Sequence, residues 1–346
     1  MRAPLMWMGE LRVGDNAKLA LGEKREDAFR PSVNNSPPFP LSRPWVTCQF
    51  TGMLRLLLSW CVWGLVAVRA DQEEPRVLFL GDSITYDGRW VVHVESAIRA
   101  QRGLARIPIV NMAVPSETVS GLSEPGHAGG SFLRPVVRER LGRVLAAYKP
   151  TLVVLGYGIN DGIFQPLDEV RFKAYRDGLT SVRADCLKAG AKVVLLTPSP
   201  YGVDKPADSA AYDEVLATYT SWLVQQRRFN WQVIDVRTQV LAACAAVKKS
   251  DPKFIFARDG IHPGDEGHLM LAQATWEGLA PMMKWNARTA FADPIKSKPL
   301  AQSMALLRNA WLTKTGHKRP GLPEGLPLEQ AENRSNALIS EFLKTP

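Results

Sequence analysis

Residues 76–85 read RVLFLGDSIT, an apolar run that ends at Gly81, Asp82 and Ser83. Short runs rich in Val, Ile, Leu and Phe predict β-strands when turn-forming residues bound them. Four further runs of this kind follow, so the sequence predicts five strands, over residues 76–80, 107–111, 151–156, 192–197 and 231–236. Because the runs are almost continuously apolar, we expect both faces of the sheet to be buried.

Longer amphipathic stretches separate these strands and predict helices. Their ranges are 90–101, 132–148, 167–188, 209–227, 239–249 and 265–284. Strands and helices that alternate along a chain are typical of a parallel sheet covered by helices. The sequence therefore predicts an α/β fold for residues 71–285, a three-layer α/β/α sandwich with a five-stranded parallel sheet.

Residues 286–346 follow a different pattern, because they contain no predicted strand. Helices are predicted over 300–313 and 328–344, and a link rich in Gly and Pro joins them over 316–327. We interpret this part as a helical C-terminal appendage packed on the main domain.

Residues 53–70 have the features of an export signal peptide. Arg55 supplies positive charge, residues 56–68 form an apolar run, and Ala70 places a small residue at the cleavage position. A membrane anchor is the alternative, but this run is shorter than the roughly 18 apolar residues of a typical spanning helix. We expect cleavage before Asp71, a periplasmic or extracellular location, and no stable membrane insertion afterwards.

The segment before this signal, residues 1–52, is rich in Pro and lacks any motif or periodicity. Export signals stand at the N-terminus of a protein. We therefore interpret residues 1–52 as a non-native or disordered extension, with Met53 as the true start.

Composition and charge exclude two broad classes of protein. The 346 residues are 46% hydrophobic and 22% charged, which is ordinary for a globular protein and excludes disorder throughout. The formal net charge is +9, and part of this surplus lies before residue 71. No basic run is interleaved with aromatic residues, so we expect a mildly positive surface and no nucleic-acid partner.

The four cysteines do not suggest a metal site. Cys48 and Cys61 lie in the part expected to be absent from the mature protein, and Cys186 and Cys244 have no CxxC-type spacing. One disulfide between the latter two is conceivable in an oxidising compartment. Both lie in predicted helices, however, so we expect two buried, small apolar side chains.

Polar residues capable of chemistry follow the predicted strands. Because ligands of open α/β sheets gather at the carboxyl ends of the strands, we expect these residues to converge. They are Gly81-Asp82-Ser83, the segment from Asn111 to Ser116, Gly158-Ile159-Asn160-Asp161, and, beyond the last strand, Asp259-Gly260-Ile261-His262.

Ser83, His262 and Asp259 have the chemistry of a nucleophile with its base. A serine hydroxyl becomes a good nucleophile when a base removes its proton, and histidine suits this role because its pKa lies near neutrality. Asp259, three residues before His262, is expected to fix the ring tautomer and stabilise the imidazolium. Each residue alone could equally serve a turn or a helix cap.

Together these blocks resemble the SGNH hydrolases, also called GDSL-type esterases. That family has a Ser in Gly-Asp-Ser, a Gly, an Asn in GxND and a His in DxxH, and three of the four blocks match here between about Val77 and Leu279. The resemblance implies a flavodoxin-like fold and ester hydrolysis through an acyl-serine intermediate, with catalytic residues Ser83, Asp259 and His262. It implies no metal and no organic cofactor.

The resemblance also implies an oxyanion hole made by the backbone NH of Ser83, the NH of Ser116 and the side-chain amide of Asn160. Here the sequence departs from the family, because Ser116 stands where the family has its oxyanion Gly, and Ala113 where another Gly is usual. A residue other than glycine can donate its NH there provided that φ is negative and its Cβ leaves room for the substrate.

The remaining polar and aromatic residues near the motifs are interpreted as structural. We expect Asp82 and Asp161 to accept backbone hydrogen bonds and His268 to lie on a helix surface, whereas His127 would line the cleft if the loop 121–131 folds over it. Core packing is expected for four aromatic residues that could instead shape a subsite: Tyr86, Trp90, Phe164 and Tyr201.

For function, the sequence predicts an exported carboxylic ester hydrolase. Analogy with the family favours short acyl (acetyl) esters of carbohydrates, with a small molecule or a polysaccharide as substrate. The alternatives are a lysophospholipase or thioesterase for longer acyl chains, an acetyltransferase, and a non-catalytic carbohydrate-binding protein that retains the fold. The sequence does not predict an oligomeric state.

Overall fold

A computed structural model of the chain describes residues 75–345, apart from the side chains of residues 206–209. The predicted signal over 53–70 and the extension over 1–52 lie outside the described residues. Five parallel strands form one sheet: β1 Val77–Gly81, β2 Ile109–Asn111, β3 Leu152–Gly156, β4 Lys192–Leu196 and β5 Gln232–Ile234. Their order, β2-β1-β3-β4-β5, is the flavodoxin-like order.

The two central strands explain the uninterrupted apolar runs. Every residue of β1 is buried, and Leu152 to Leu155 of β3 are buried as well. In the register of these strands Gly81 pairs with Gly156, so both strands end at the same edge. Burial of the sheet on both faces requires helices on both sides, as the sequence predicts.

Nine α-helices lie within the described residues. They are α1 Ser83–Asp87, α2 Arg89–Arg99, α3 Arg138–Tyr148, α4 Glu169–Lys188, α5 Pro206–Gln225, α6 Val236–Ser250, α7 Asp265–Met282, α8 Lys298–Thr315 and α9 Leu328–Lys344. α7 contacts both α2 and α6, while α3 contacts α4, whose Phe172 stacks on Tyr219 of α5. These two groups of helices are the outer layers of the predicted three-layer sandwich.

The largest differences from the prediction are one shifted helix start and one helix that was not predicted. α3 begins at Arg138 instead of residue 132, because Pro135 disfavours a helical conformation at the residue before it. The short helix α1 was not predicted. It begins after Asp82, whose side chain accepts a hydrogen bond from the NH of Ile84, and it ends at Gly88, where φ is +90°.

The C-terminal helices pack against the sandwich. α8 contacts β2, α2 and α3, and α9 lies against α8. Leu300, Leu307 and Trp311 of α8 are buried, and the Trp311 ring meets Tyr148 of α3 edge-on at 5.2 Å between ring centroids. α8 therefore contributes its apolar face to the core.

Cys186 in α4 and Cys244 in α6 are both buried and free. Burial raises the pKa of the Cys186 thiol to about 12. Among residues 75–345, no helix is long and apolar enough to cross a membrane. Over the same residues, no three His, Cys, Asp or Glu side chains are grouped as metal ligands.

Candidate active site

Ser83 is the first residue of α1 and follows β1 after a sharp turn at Gly81 and Asp82. A Cβ atom at Gly81 would lie 2.7 Å from the carbonyl oxygen of Gly156 and 2.4 Å from Oγ1 of Thr85. Only glycine fits this close approach of β1 to β3. The turn leaves Ser83 partly exposed at the carboxyl edge of the sheet.

His262 connects Ser83 with Asp259. Its Nε2 lies 2.9 Å from Oγ of Ser83, and its Nδ1 lies 2.6 Å from Oδ2 of Asp259. An ionised carboxylate can only accept, so the ring carries its proton on Nδ1 and Nε2 is free to accept from the Ser83 hydroxyl. The structure thus brings together the three residues predicted to be catalytic.

The carboxylate of Asp259 also organises its own loop. Oδ1 accepts from the backbone NH groups of Ile261 at 2.9 Å and His262 at 2.8 Å. Partial burial acts to raise the pKa of Asp259, but the hydrogen bonds from the ring and backbone of His262 outweigh it and hold the pKa below its ordinary value. Asp259 is therefore ionised at neutral pH, as the tautomer of His262 requires.

Arg89 holds the loop that carries His262 against the end of α1. Its guanidinium donates to Oδ1 of Asp265 at 2.6 Å and to the carbonyl of Pro263 at 3.2 Å, and it forms an ion pair with Asp87 at the end of α1. One side chain thus links the helix that begins at Ser83 to the residues that follow His262.

Asn160 lies in the loop after β3, next to the loop of Ser83, because Gly81 and Gly156 are paired neighbours. It is buried. Its Oδ1 accepts a hydrogen bond from Nη1 of Arg134 at 2.8 Å, and its Nδ2 donates to the carbonyl of Glu117 at 3.3 Å.

Ser116 adopts φ of +67°, in the left-handed region. The negative φ that a non-glycine donor was expected to need is absent. This conformation favours glycine, which agrees with the glycine that the SGNH family has at this position. The expectation of a negative φ was therefore wrong: the serine adopts the backbone conformation that suits glycine, and its NH points as that of a glycine in this conformation would.

The residue after Ser116 anchors this loop in the core. The buried carboxylate of Glu117 accepts from Nε and Nη2 of Arg140, at 2.6 and 2.7 Å, and from the hydroxyl of Tyr157 at 2.6 Å. Burial and the adjacent Glu117 carboxylate raise the pKa of Tyr157 far above its usual range, so the hydroxyl keeps its proton. No motif in the sequence indicated this cluster.

Asp82 and Asp161 accept backbone hydrogen bonds, as predicted. Oδ1 of Asp161 accepts from the NH groups of Val119 at 2.9 Å and Ser120 at 2.8 Å, so it joins the loop after β3 to the loop after β2. Burial raises the pKa of Asp161 to about 6 and that of Asp82 to about 7. Both carboxyls stabilise the turns that carry Ser83 and Asn160.

A buried arginine, which the sequence analysis missed, lies beside Asn160. Arg134 donates from Nε and Nη2 to the two carboxylate oxygens of Glu124, at 2.7 and 2.6 Å. Glu124 also contacts Nδ1 of His127 at 3.1 Å, and the His127 ring meets Phe132 edge-on. His127 is thus tied to the site through Glu124 and Arg134. The signal that could have found Arg134 is Pro135, which places it in a loop.

The prediction that His268 lies on a helix surface was wrong. Its side chain is buried in α7, and its Nε2 lies 3.4 Å from Oδ1 of Asp87. α7 lies between α2 and α6, and Leu271 and Ala272 on it are buried as well, so this helix has little free surface. Burial lowers the pKa of His268 to about 4, which keeps the ring neutral at physiological pH.

The aromatic residues near the site pack mainly against other side chains. Trp90 is buried and meets Phe79 of β1 edge-on at 5.5 Å. Phe164 is partly buried against Tyr201, at 5.7 Å between ring centroids. The ring of Tyr86 lies 3.8 Å beneath the guanidinium of Arg308.

A parallel sheet in the flavodoxin-like order, with a Ser-His-Asp arrangement at its carboxyl edge, defines the class as a serine hydrolase built on a three-layer α/β/α sandwich. The chain belongs to the GDSL-like lipase/acylhydrolase family, whose model matches residues 79–270. The resemblance to the SGNH hydrolases is thereby confirmed. The chain is a carboxylic ester hydrolase.

Solved structures to which this chain is similar include a catalytic mutant of Axe2, an acetylxylan esterase from Geobacillus stearothermophilus. The two sequences are 22% identical, the match covers 62% of this chain and 95% of that one, and the TM-score is 0.46. TesA is 24% identical, with 60% of this chain and 99% of that chain covered and a TM-score of 0.41. A comparison with curated proteins gives no match.

Proposed function

We propose that the protein hydrolyses short acyl esters of carbohydrates, acetyl esters above all, through an acyl-enzyme intermediate on Ser83. The single observation that carries this proposal is the open position of the Ser83, His262 and Asp259 arrangement. The side chains of His262 and Asp259 are 47% and 53% exposed, so an alcohol portion as large as a glycan can approach the ester from solvent.

The mechanism follows from the contacts of His262. As Oγ of Ser83 attacks the ester carbonyl carbon, its proton moves to Nε2 of His262, 2.9 Å away. Collapse of the tetrahedral intermediate breaks the bond to the alcohol, which leaves with that proton. Water then attacks the acyl-serine, again losing a proton to Nε2, and the proton returns to Ser83 as the acid departs.

The carbonyl oxygen becomes an oxyanion in both tetrahedral intermediates. The backbone NH groups of Ser83 and Ser116 and the Nδ2 group of Asn160 are its proposed hydrogen-bond donors. Their segments follow β1, β2 and β3, which are adjacent strands. The NH of Val114 donates to the carbonyl of Gly81 at 3.0 Å, which keeps the segment of Ser116 beside that of Ser83.

A preference for a short acyl group is supported by a small cavity beside the turn of Ser83, whose lining includes both neighbours of Ser83 but not Ser83 itself. The cavity lined by Asp82, Ile84, Thr85 and Trp90, together with the ends of β3 and β4, has a volume of about 30 Å³. This volume is room for about one water molecule. A drug-sized apolar ligand typically needs about 300 Å³ or more.

One observation favours longer acyl chains instead. A cavity of about 340 Å³ lies between α2 and α8 and is lined partly by apolar side chains, such as Val92, Met304 and Ala305, and partly by charged ones, such as Lys298 and Arg308. Arg89 also lines it and donates to the carbonyl of Pro263, beside His262. A lysophospholipase or thioesterase activity would use this cavity, and it is the second candidate function.

We propose further that the enzyme acts outside the cytoplasm, after cleavage before Asp71. β1 begins at Val77, so cleavage at that point leaves every described helix and strand intact. N-terminal sequencing of exported protein is expected to give Asp71. Recovery of exported protein that still carries residues before Met53 would contradict this assignment.

The function is tested with the purified protein, its Ser83→Ala variant and a control, Ser131→Ala, at an exposed serine. Nitrophenyl esters from two to twelve carbons and acetylated xylo-oligosaccharides serve as substrates. We expect acetate release from the glycan, the highest kcat/KM for the two-carbon ester, and a fluorophosphonate label on Ser83. A maximum at eight carbons or more would support the second candidate, and full activity of Ser83→Ala would refute the mechanism.

A further inference from the structure

Arg134 joins three segments around the candidate site through one guanidinium group. Its side chain is only 4% exposed. Nη1 donates to Oδ1 of Asn160 at 2.8 Å and approaches the carbonyl of Ser116 at 3.5 Å, while Nε and Nη2 bind the carboxylate of Glu124. The loop after β2, the loop after β3 and the loop 121–131 therefore meet at this side chain.

The contact with Asn160 determines which way its amide faces. A guanidinium has donors and no acceptor, so only the oxygen end of the amide can face Arg134. The second partner requires the same orientation, since the carbonyl of Glu117 can accept only from the nitrogen end, at 3.3 Å. Both contacts leave one N–H of Nδ2 available to the substrate.

The positive charge of Arg134 also changes the amide electronically. A hydrogen bond from a charged donor is about twice as strong as a neutral one and polarises the groups bonded to it. Electron density drawn toward Oδ1 of Asn160 makes the N–H groups of Nδ2 more acidic and hence better donors. These stronger donors stabilise a negatively charged oxyanion more than the neutral carbonyl of the bound ester, so they lower the free energy of the transition state relative to that of the bound substrate.

Glu124 holds Arg134 in place. The pair is bidentate, which fixes the plane of the guanidinium as well as its position. The ring of Phe164 lies 5.4 Å from the guanidinium carbon on another side. Partial burial acts to raise the pKa of Glu124, but the hydrogen bonds from Arg134 outweigh it, so the carboxylate stays ionised.

We propose that Arg134 is a positioning residue for ester hydrolysis, which orients and polarises the Asn160 amide toward the oxyanion. This inference rests on the proposed function of Asn160 as an oxyanion donor. The alternative is a buried ion pair that only stabilises the loops. That alternative predicts a lower free energy of unfolding, with no specific coupling to Asn160.

The test is a double-mutant cycle with Arg134→Met, Asn160→Ala and the combination, measured as kcat and KM for a short nitrophenyl ester. Because Arg134 acts through Asn160, we expect Arg134→Met to lower kcat by about 10- to 100-fold, with KM changed less than about threefold. The double variant is expected to lie within about threefold of Asn160→Ala alone. Additive losses would overturn the proposal.

Arg99→Met is the matched control. Arg99 forms an ion pair with Glu95 that is more deeply buried than the pair of Arg134 with Glu124, and it donates to the carbonyls of Ala105 and Ile107, away from the site. We expect this variant to lose thermal stability while its kcat stays within about threefold of the parent. A similar loss of kcat in the control would assign the effect of Arg134→Met to general loosening of the fold.

Two milder variants cover the case in which Arg134→Met does not fold. Glu124→Gln keeps Arg134 but weakens its anchor, and Arg134→Lys keeps the charge but loses the planar fork. We expect each to lower kcat by about three- to tenfold at unchanged KM. Full kcat in both would overturn the positioning role while Ser83→Ala remains inactive. Full activity of Ser83→Ala would instead refute the function on which the inference rests.

Discussion

Asp259 contacts His262 twice, through Oδ1 to its backbone NH at 2.8 Å and through Oδ2 to ring Nδ1 at 2.6 Å. The first contact sets the position of the residue, and the second sets the tautomer of its ring. One carboxylate thus fixes both the place and the protonation of the proposed base.

Replacement of Asp259 by Asn is expected to separate these two roles. An asparagine oxygen can still accept from the backbone NH of His262, so the loop is retained. Its NH₂ group then faces Nδ1, which must accept, and the proton moves to Nε2, where the ring can no longer take the proton of Ser83. We expect kcat to fall by about 100- to 10,000-fold with little change in thermal stability. A residual kcat within about tenfold of the parent would show that the tautomer does not depend on Asp259.

Ser83 and His262 are expected to behave as one unit. Ser83→Ala and His262→Ala should each lower kcat by about 10,000-fold or more, and the double variant should be little worse than either. Asp259→Ala should leave a higher residual rate. The measurement is turnover of a short nitrophenyl ester after contaminating esterases are removed. Losses that multiply in the double variant would mean that His262 does not act on Ser83.

Substitutions at Ser116 test whether its left-handed backbone affects stability and whether its hydroxyl contributes to turnover. Ser116→Gly should raise the free energy of unfolding by up to about 1 kcal/mol, because glycine adopts φ of +67° without the cost that an L-residue carries there. Both Ser116→Gly and Ser116→Ala should keep kcat within about tenfold of the parent, since only the backbone NH is proposed to donate.

Urea unfolding and ester turnover of these two variants provide the measurements. Asn160→Ala is the reference for a lost donor, with an expected decrease in kcat of about 100- to 1,000-fold. A comparable decrease in well-folded Ser116→Ala would mean that the hydroxyl itself donates or positions the substrate.

The raised pKa of Asp82 predicts that the free energy of unfolding depends on pH. Burial raises its pKa to about 7, so between about pH 4 and pH 7 the folded chain holds a proton that the unfolded chain has released. The free energy of unfolding therefore falls as the pH rises through this range, by up to about 4 kcal/mol from this group. Asp161, with a pKa raised to about 6, acts in the same direction.

Asp82→Asn should flatten this dependence. Asparagine caps a helix as well as aspartate does, so the hydrogen bond from the NH of Ile84 is retained while the cost of a buried charge is removed. Urea unfolding at pH 5 and pH 8 is the measurement, with Asp185→Asn at an exposed position as the control. Equal losses of stability between the two pH values in variant and parent would contradict the assignment.

The candidate site could be predicted because its blocks are local and each follows a recognisable element. Gly81 to Ser83 end an apolar run, Asn160 follows another, and Asp259 to His262 precede a helix. The carboxyl ends of parallel strands meet, so Ser83 and His262 approach each other across 179 positions of sequence. The strand order, by contrast, came from the family resemblance, because buried apolar runs look alike.

The contacts around Asn160 could not be predicted in this way. Arg134 lies in a segment that was predicted to be a helix, where an exposed arginine is ordinary. Glu117 and Arg140 contact each other from two separate segments of the chain, and no sequence pattern relates the two positions. Burial of His268 depends on what covers α7, and tertiary packing decides that. A single sequence indicates a helix or a strand through the regular repeat of its apolar residues, whereas one buried pair between two loops leaves no such repeat.

The contact between α8 and β2 has a consequence for how the chain behaves among copies of itself. β2 is an outer strand of the sheet, and such a strand exposes backbone NH and carbonyl groups that can pair with a strand from another molecule. β2 is only three residues long, and α8 packs against it with Leu307 and Trp311 buried nearby. By covering this edge of the sheet, the C-terminal helices hinder β2 from pairing with a strand of another molecule and so oppose aggregation.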